Sequence, residues 1–210
     1  MFKHINRAAT MSTKRGIFIP LKRFLHDQKG IAAMEFALVV PIMFSLYFML
    51  NETANGMRAA RKVTMVSRVM ADLASRSTDL TDAGKEDIFS AAVPMMSPFT
   101  TTGAGYRLTS IRFDATGKGF VDWSDANGSG LPAYARCSTT EPTPNRTLLS
   151  VPDGLKAANT SLILAEANIK YKPIIGWNIT GTIDLSDKLF MRPRVSDFVT
   201  RNGVVQSICT

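Results

Sequence analysis

The most prominent pattern is a continuous apolar run at residues 31–50. It reads IAAMEFALVVPIMFSLYFML, and 17 of its 20 residues are apolar, the exceptions being Glu35, Pro41 and Ser45. A helix of this length extends about 30 Å, the hydrocarbon thickness of a bilayer. The run therefore predicts a transmembrane helix, with a buried core helix and a cleaved secretory signal as the two alternatives.

A helical pattern continues beyond the apolar run. Residues 51–77 contain no proline, and their apolar residues recur at spacings of four and three, namely at Ala59, Val63, Val66, Met70 and Leu73. This predicts one helix from about Ile31 to Ser75, kinked at Pro41 and loosened at Asn55-Gly56. Residues 51–76 would form a helical stem. The apolar face of the stem packs either on the chain's own sheet or on a partner helix.

Residues 77–210 carry the signals of a mixed domain. A short helix is expected from Asp82 to Val93, with Asp82 as its cap and Pro94 at its end. The period then changes to two, which predicts strands at 106–113 and 119–123 and two more within 161–175 and 182–194. Residues 124–147 read as a long loop. The predicted fold class is α+β, with a long N-terminal helix followed by one antiparallel sheet of about four strands.

The charge is concentrated at the N-terminus. The net charge is +8, but residues 1–29 hold seven Lys or Arg and one acidic residue, which leaves 18 basic and 16 acidic residues elsewhere. The body of the chain is therefore nearly neutral and lacks the basic footprint that a phosphate backbone selects. Nucleic acid is excluded as an expected partner.

The same asymmetry predicts the orientation of the span. Basic residues before it favour a cytoplasmic N-terminus and an exported C-terminal domain. Four cations after it oppose this orientation: Arg58, Arg61, Lys62 and Arg68. Orientation therefore rests on the N-terminal excess and on the cysteines. Cys137 and Cys209 lie 72 residues apart without metal-site spacing, so a structural disulfide in an oxidising compartment is expected.

Candidate chemistry is sparse. Both histidines, His4 and His26, lie in the basic leader, which excludes Ser-His and Cys-His catalysis and the usual zinc sites in the body of the chain. A segment with oxygen ligands, Asp122, Asp125, Asn127 and Ser129, lacks the spacing of a calcium loop and reads as a solvated turn. Trp123 and Trp177 are expected in the core or on a face of the sheet. No enzyme activity, cofactor or metal is predicted.

Glu35 is the most informative residue of the span. A carboxylate near the middle of a bilayer costs about 2.5 kcal/mol or more on insertion scales, and less near the interface. Two explanations remain open. Glu35 lies shallow enough for its side chain to reach the headgroups, or it pairs with a positive charge inside an assembly of packed helices.

The residues around the start of the span resemble a known processing site. The sequence Lys29-Gly30-Ile-Ala-Ala-Met-Glu35-Phe36 resembles the cleavage site of type IV prepilins, in which a membrane aspartic peptidase cuts after the glycine. More narrowly, FLHDQKGIAAMEFALVVPIMFSLYF is similar to the TadE/TadG-like family of tight-adherence pilus systems, over about residues 24–60. The resemblance implies that Gly30 ends the leader, Ile31 becomes the N-terminus, Glu35 is the fifth mature residue and Phe36 follows it.

The resemblance also implies a pilin-like fold and a function. The protein is expected to be a minor pilin or pseudopilin of the bacterial inner membrane, with a periplasmic domain, that acts in assembly or priming of an adhesive pilus. Its implied partners are the inner membrane, the prepilin peptidase, other pilins and pilus assembly proteins. The alternative is an unprocessed bitopic envelope protein whose outer domain binds a ligand or a surface.

Overall fold

The computed structural model describes residues 30–136, 151–174 and 181–204. The chain forms two compact units, Met1–Tyr47 and Phe48–Thr210. The described part of the first unit is helical throughout, apart from Gly30 at its start. The second unit contains the rest of that helix, a second helix, a four-stranded antiparallel sheet and a short two-stranded parallel sheet. The predicted α+β class, with a long N-terminal apolar helix and a separate antiparallel sheet, is confirmed.

The first helix, α1, extends over Ile31–Ser75, as the sequence predicts. It runs unbroken through Pro41 and Gly56. Downstream of the apolar run, α1 buries one face, made of Ala59, Val63, Val66, Ser67, Met70, Ala71, Ala74 and Ser75. The apolar members of this face share a core cluster with side chains of the sheet. The stem therefore packs on the chain's own sheet, and Leu73, predicted on this face, is instead 38% exposed.

The second helix, α2, follows the two-residue strand β1 (Asp79–Leu80) and spans Asp82–Met95. Its cap is Thr81, whose Oγ1 accepts a hydrogen bond from the Gly84 amide at 3.1 Å. The predicted cap, Asp82, is thus wrong by one residue, because the Asp82 carboxylate accepts from Arg201 and Asn202 instead. Pro94 lies inside the last turn and does not end the helix.

The sheet contains β2 (Gly105–Phe113), β3 (Gly119–Gly128), β4 (Ser161–Tyr171) and β5 (Ile183–Met191). The strand order is β3-β2-β4-β5, and every neighbouring pair is antiparallel. A short 3-10 helix, Asp153–Leu155, precedes β4. The prediction that a loop begins at residue 124 is wrong, because residues 124–128 continue β3 and pair with β2 as far as Gly128.

Both faces of the sheet are covered. The helices pack on one face, against Tyr106, Leu108, Trp123, Ile163, Ala165, Ala167, Ile169 and Tyr171. Trp123 is fully buried, as expected, and donates its indole N–H to the Val199 carbonyl at 2.8 Å. On the other face, a smaller cluster joins Ile111, Phe113, Leu162 and Leu164 to Val151. Burial on both faces explains why the first half of β4 is a run of apolar residues rather than an alternating pattern.

Two buried arginines attach irregular segments to the sheet. On the face away from the helices, Arg107 bonds to Glu166 at 2.7 Å and to the Pro132 carbonyl at 2.6 Å, and its guanidinium stacks on the Tyr134 ring at 3.6 Å. These contacts hold residues 132–134 against the strands. A guanidinium can satisfy several acceptors at once with its fixed array of donors.

The second arginine, Arg201, lies in β6 (Thr200–Arg201), which pairs in parallel with β1. Its side chain is only 8% exposed and bonds to Asp125 at 2.7 Å, to the Leu80 carbonyl at 3.0 Å and to Asp82. Nearby, Asp79 accepts from the Gly203 amide at 2.8 Å. This junction, which the sequence analysis missed, joins α2, β3 and the C-terminal segment.

The carboxylates at this junction make folding sensitive to acid. Hydrogen bonds from the Gly203 amide and the Thr200 hydroxyl lower the pKa of Asp79. Hydrogen bonds from Arg201 and Asn202 lower the pKa of Asp82. Because both folded-state pKa values lie below the ordinary value of 3.8, the stabilisation is present above pH 4 and is lost as the pH falls through the folded-state values.

Asp82→Asn should therefore lower the melting temperature at pH 7 and flatten its decline between pH 5 and pH 3. Thermal melts followed by circular dichroism across this range measure both effects. The matched control is Asp87→Asn on the same helix, since the Asp87 side chain is exposed and has no bonding partner within the described residues. If the melting temperature of Asp82→Asn falls between pH 5 and pH 3 as steeply as that of the unmodified chain, the role given to the Asp82 carboxylate is contradicted.

Candidate assembly site

The first twenty residues of α1 present an exposed apolar surface. Val40 alone among residues 31–50 is half-buried, and the rest are exposed. Met34, Phe36 and Leu38 are exposed by 75%, 70% and 70%. By length and composition, α1 is sufficient to cross a membrane. Ser45 donates its hydroxyl to the Pro41 carbonyl at 2.7 Å, so this polar side chain is satisfied within the helix.

The predicted processing residues lie together at the start of this helix. Gly30 has 3-10 conformation directly before α1, and Ile31 is the first α-helical residue. Glu35 follows Ile31 by four residues, so it lies on the same face about 6 Å farther along the axis. Phe36 is next to it. A methyl group added at Gly30 would meet no atom within 4 Å, so packing inside the chain does not require glycine at this position.

The predicted disulfide falls on residues that the structure leaves undescribed. Cys137 and Cys209 both lie outside the described ranges, so the bridge between them stays a prediction.

The segment weighed as a calcium loop is a strand. Asp122, Asp125 and Asn127 all belong to β3, and Asp125 bonds to Arg201. The interpretation of these residues as a solvated turn is also wrong. They belong to a strand, and Asp122 is buried within the sheet. Within the described ranges, no group of three or more His, Cys, Asp or Glu residues is placed to hold a metal ion.

A contact just beyond the apolar run was not foreseen from the sequence. Glu52 lies two residues after Leu50 and accepts a hydrogen bond from the Tyr171 hydroxyl at 2.7 Å. Its carboxylate oxygens also lie 3.1 and 3.2 Å from the Ile174 amide. Burial, and then the bond to the Glu52 carboxylate, raise the pKa of Tyr171 to about 12, which keeps the hydroxyl protonated as a donor. We call this contact the Glu52 clamp.

The Glu52 clamp fixes the end of β4 to α1 at the level where the apolar run ends. The Tyr171 ring also contacts Phe99, edge to face, with centroids 6.1 Å apart. No sequence signal linked these residues, because Glu52 and Tyr171 are 119 positions apart.

The chain matches no protein-family model, no curated protein and no solved structure. Any functional assignment therefore depends on the residues themselves.

Tyr171→Phe should destabilise the protein by about 1–3 kcal/mol, since it removes a hydrogen bond to a charged acceptor and leaves that carboxylate less satisfied. Denaturant unfolding in a mild detergent measures the change. Tyr106→Phe is the matched control. The Tyr106 hydroxyl is also buried but has no hydrogen-bond partner within the described residues, so its removal should be neutral or stabilising. Equal losses in the two variants would contradict the Glu52 clamp.

Proposed function

We propose that this protein is a membrane-anchored minor pilin or pseudopilin that takes part in assembly or priming of a tight-adherence pilus. The observation that carries the proposal is the exposed apolar helix with a lone carboxylate one turn from Ile31. The same helix continues into a stem that packs on a four-stranded antiparallel sheet. This combination of anchor, stem and sheet agrees with the resemblance to the TadE/TadG-like family.

Cleavage after Gly30 gives Glu35 a partner. The new α-amine at Ile31 would be largely cationic at neutral pH, because amino termini have pKa values near 8. The carboxylate also lies near the N-terminal end of the shortened helix, where the helix dipole favours negative charge. A neighbouring subunit displaced along the axis by about one turn brings its own amine level with Glu35. Such a pair satisfies a carboxylate in lipid and fixes the axial register between helices.

In this proposal, the basic leader lies in the cytoplasm and residues 77–210 lie in the periplasm. A prepilin peptidase acts at Gly30. The protein then works with other pilins and assembly proteins by helix packing and surface recognition, without catalysis. A processed pilin differs from an unprocessed membrane anchor in one step, which is the pairing of Glu35 with the α-amine of a neighbouring subunit.

Processing is tested by the intact mass of the protein extracted from membranes of cells with and without the cognate prepilin peptidase. The expected result is a form that begins at Ile31 only where the peptidase is present. A full-length form in both strains would support the unprocessed envelope protein instead. A form cut after the apolar run would identify a secretory signal and overturn the proposal.

Glu35→Ala should leave membrane insertion intact and reduce piliation at least tenfold, because the register-setting charge pair is lost. Glu35→Gln, which keeps the size and polarity of the side chain, should have a similar effect. The matched control is Ser45→Ala, which removes a polar group whose hydrogen bond is satisfied inside the same helix. Pili are counted by electron microscopy, and membrane insertion is checked by carbonate extraction. Normal piliation in both Glu35 variants would refute the pairing.

A further inference from the structure

A cavity of about 760 Å³ lies in the second unit, between α1, the segment after α2 and the end of β4. Five of its lining residues are cationic: Arg58, Arg61, Lys62, Lys170 and Lys172. Its volume is within the usual range of small-molecule sites. The three cations on α1 follow a spacing of three and one, so they lie on one side of the helix. In the sequence, Arg58, Arg61 and Lys62 are recognisable only as basic residues that follow the apolar run.

The cavity carries a surplus of positive charge. No acidic side chain is among its described lining residues. Arg58 donates to the neutral side-chain amide of Asn55 at 3.1 Å, and Lys170 lies 3.5 Å from the exposed Asp184. Arg61 and Lys62 have no hydrogen-bond or ion-pair partner within the described ranges. The cavity is therefore suited to an anion, and Arg61 with Lys62 are the groups available to bind it.

The remaining wall is apolar. It includes Phe99 and Tyr171, which pack edge to face, and the buried Ile169. At one edge lies Ile174, whose backbone amide is bonded to Glu52 and whose side chain is 73% exposed. A free inorganic anion would leave this apolar wall in contact with water. The wall favours a ligand that joins an anionic group to a hydrocarbon portion.

The position of the cavity along α1 indicates where such a ligand comes from. Arg58 lies eight residues after Leu50, about 12 Å along the helix axis. The headgroup layer of a bilayer extends about 5–8 Å beyond the hydrocarbon, and long basic side chains reach towards it. The Glu52 clamp holds Ile174 beside the first helical turn after the apolar run. With the apolar run in a membrane, the edge of the cavity at Ile174 lies at the level of the headgroups. Arg61 and Lys62 lie about 16–18 Å along the axis beyond Leu50, so a phosphate bound to them stands above the headgroup layer while its hydrocarbon portion faces that layer.

We propose that this cavity binds the phosphate group of an anionic glycerophospholipid from the leaflet that faces the exported domain. Arg61 and Lys62 bind the phosphate, and an acyl chain packs along Phe99, Tyr171 and Ile174. The bound lipid fastens the base of the domain to the membrane surface. The inference rests on the membrane anchor of the proposed function, but it requires neither cleavage at Gly30 nor assembly of a pilus.

The test uses the full chain reconstituted in nanodiscs of equal parts phosphatidylglycerol and phosphatidylcholine. After mild detergent extraction, native mass spectrometry counts the lipids that stay bound. The unmodified chain should retain one phosphatidylglycerol in preference to phosphatidylcholine. The double variant Arg61→Gln/Lys62→Gln should retain at least tenfold less. The matched control Arg68→Gln/Lys118→Gln removes the same number of charges from exposed positions outside the cavity and should behave as the unmodified chain.

A second measurement locates the lipid. Phosphatidylglycerol with a photoactivatable acyl chain should crosslink to residues 98–100 or 169–174 of the unmodified chain, and inorganic phosphate at millimolar concentration should not compete. Equal retention of the two lipids, equal loss in both double variants, or full competition by inorganic phosphate would each overturn the proposal. Carbonate extraction tests membrane anchoring independently of lipid binding, and thermal melts check that each variant is folded.

Discussion

The structure depends on a single constraint, which is that the twenty mostly apolar residues at the start of α1 are exposed, apart from the half-buried Val40. Burial of one large aliphatic or aromatic side chain is worth about 1.5–3 kcal/mol. Summed over the run, the free energy gained by transfer of these side chains from water to an apolar environment exceeds the net stability of a typical domain, about 5–15 kcal/mol. The penalty for Glu35, about 2.5 kcal/mol, is small beside this sum. The carboxylate would therefore not prevent insertion of this helix into a membrane, and in the proposed assembly its effect would fall on how the helix packs.

The same helix meets two environments, and the change between them is local. Up to Leu50 every side chain except the half-buried Val40 is exposed, whereas from Ala59 onwards one face is buried against the sheet. Small residues at Ala59, Ala71 and Ala74 let the helix approach the strands closely. The Glu52 clamp lies between these two regions and ties the end of β4 to the helix. Glu52, a charged residue just past the apolar run, therefore helps to hold the sheet on the helix, which its position in the sequence does not reveal.

The sequence predicted those elements that are determined by periodicity over many residues. The bounds of α1 follow from its spacing of apolar residues, and the four strands follow from the change of pattern in the residues after 105. Features set by one distant partner were not predictable. Thr81 caps α2 because Asp82 is engaged by Arg201, a contact across 119 residues. The sequence predicted that β3 ends before residue 124, because residues 124–128 are polar or small, as in a loop. In the structure these residues pair with β2, and Asp125 bonds to Arg201.

Among the candidate residues, those of the proposed processing site could be suggested from the sequence because they lie within seven consecutive positions, 30–36. It could not identify the basic cavity, since Lys170 and Lys172 join the three cations of α1 only through the fold. Like charges brought together repel one another, though each pair in water by less than about 1 kcal/mol. An anion held among them adds an attraction to each cation, and these attractions offset the repulsion between the cations. Because surface electrostatics are screened over about 8 Å at physiological ionic strength, only a ligand inside the cavity interacts with all five cations. Three of the four cations that oppose the expected orientation of the span, Arg58, Arg61 and Lys62, line this cavity, so the proposed lipid site gives them a use that Arg68 does not share.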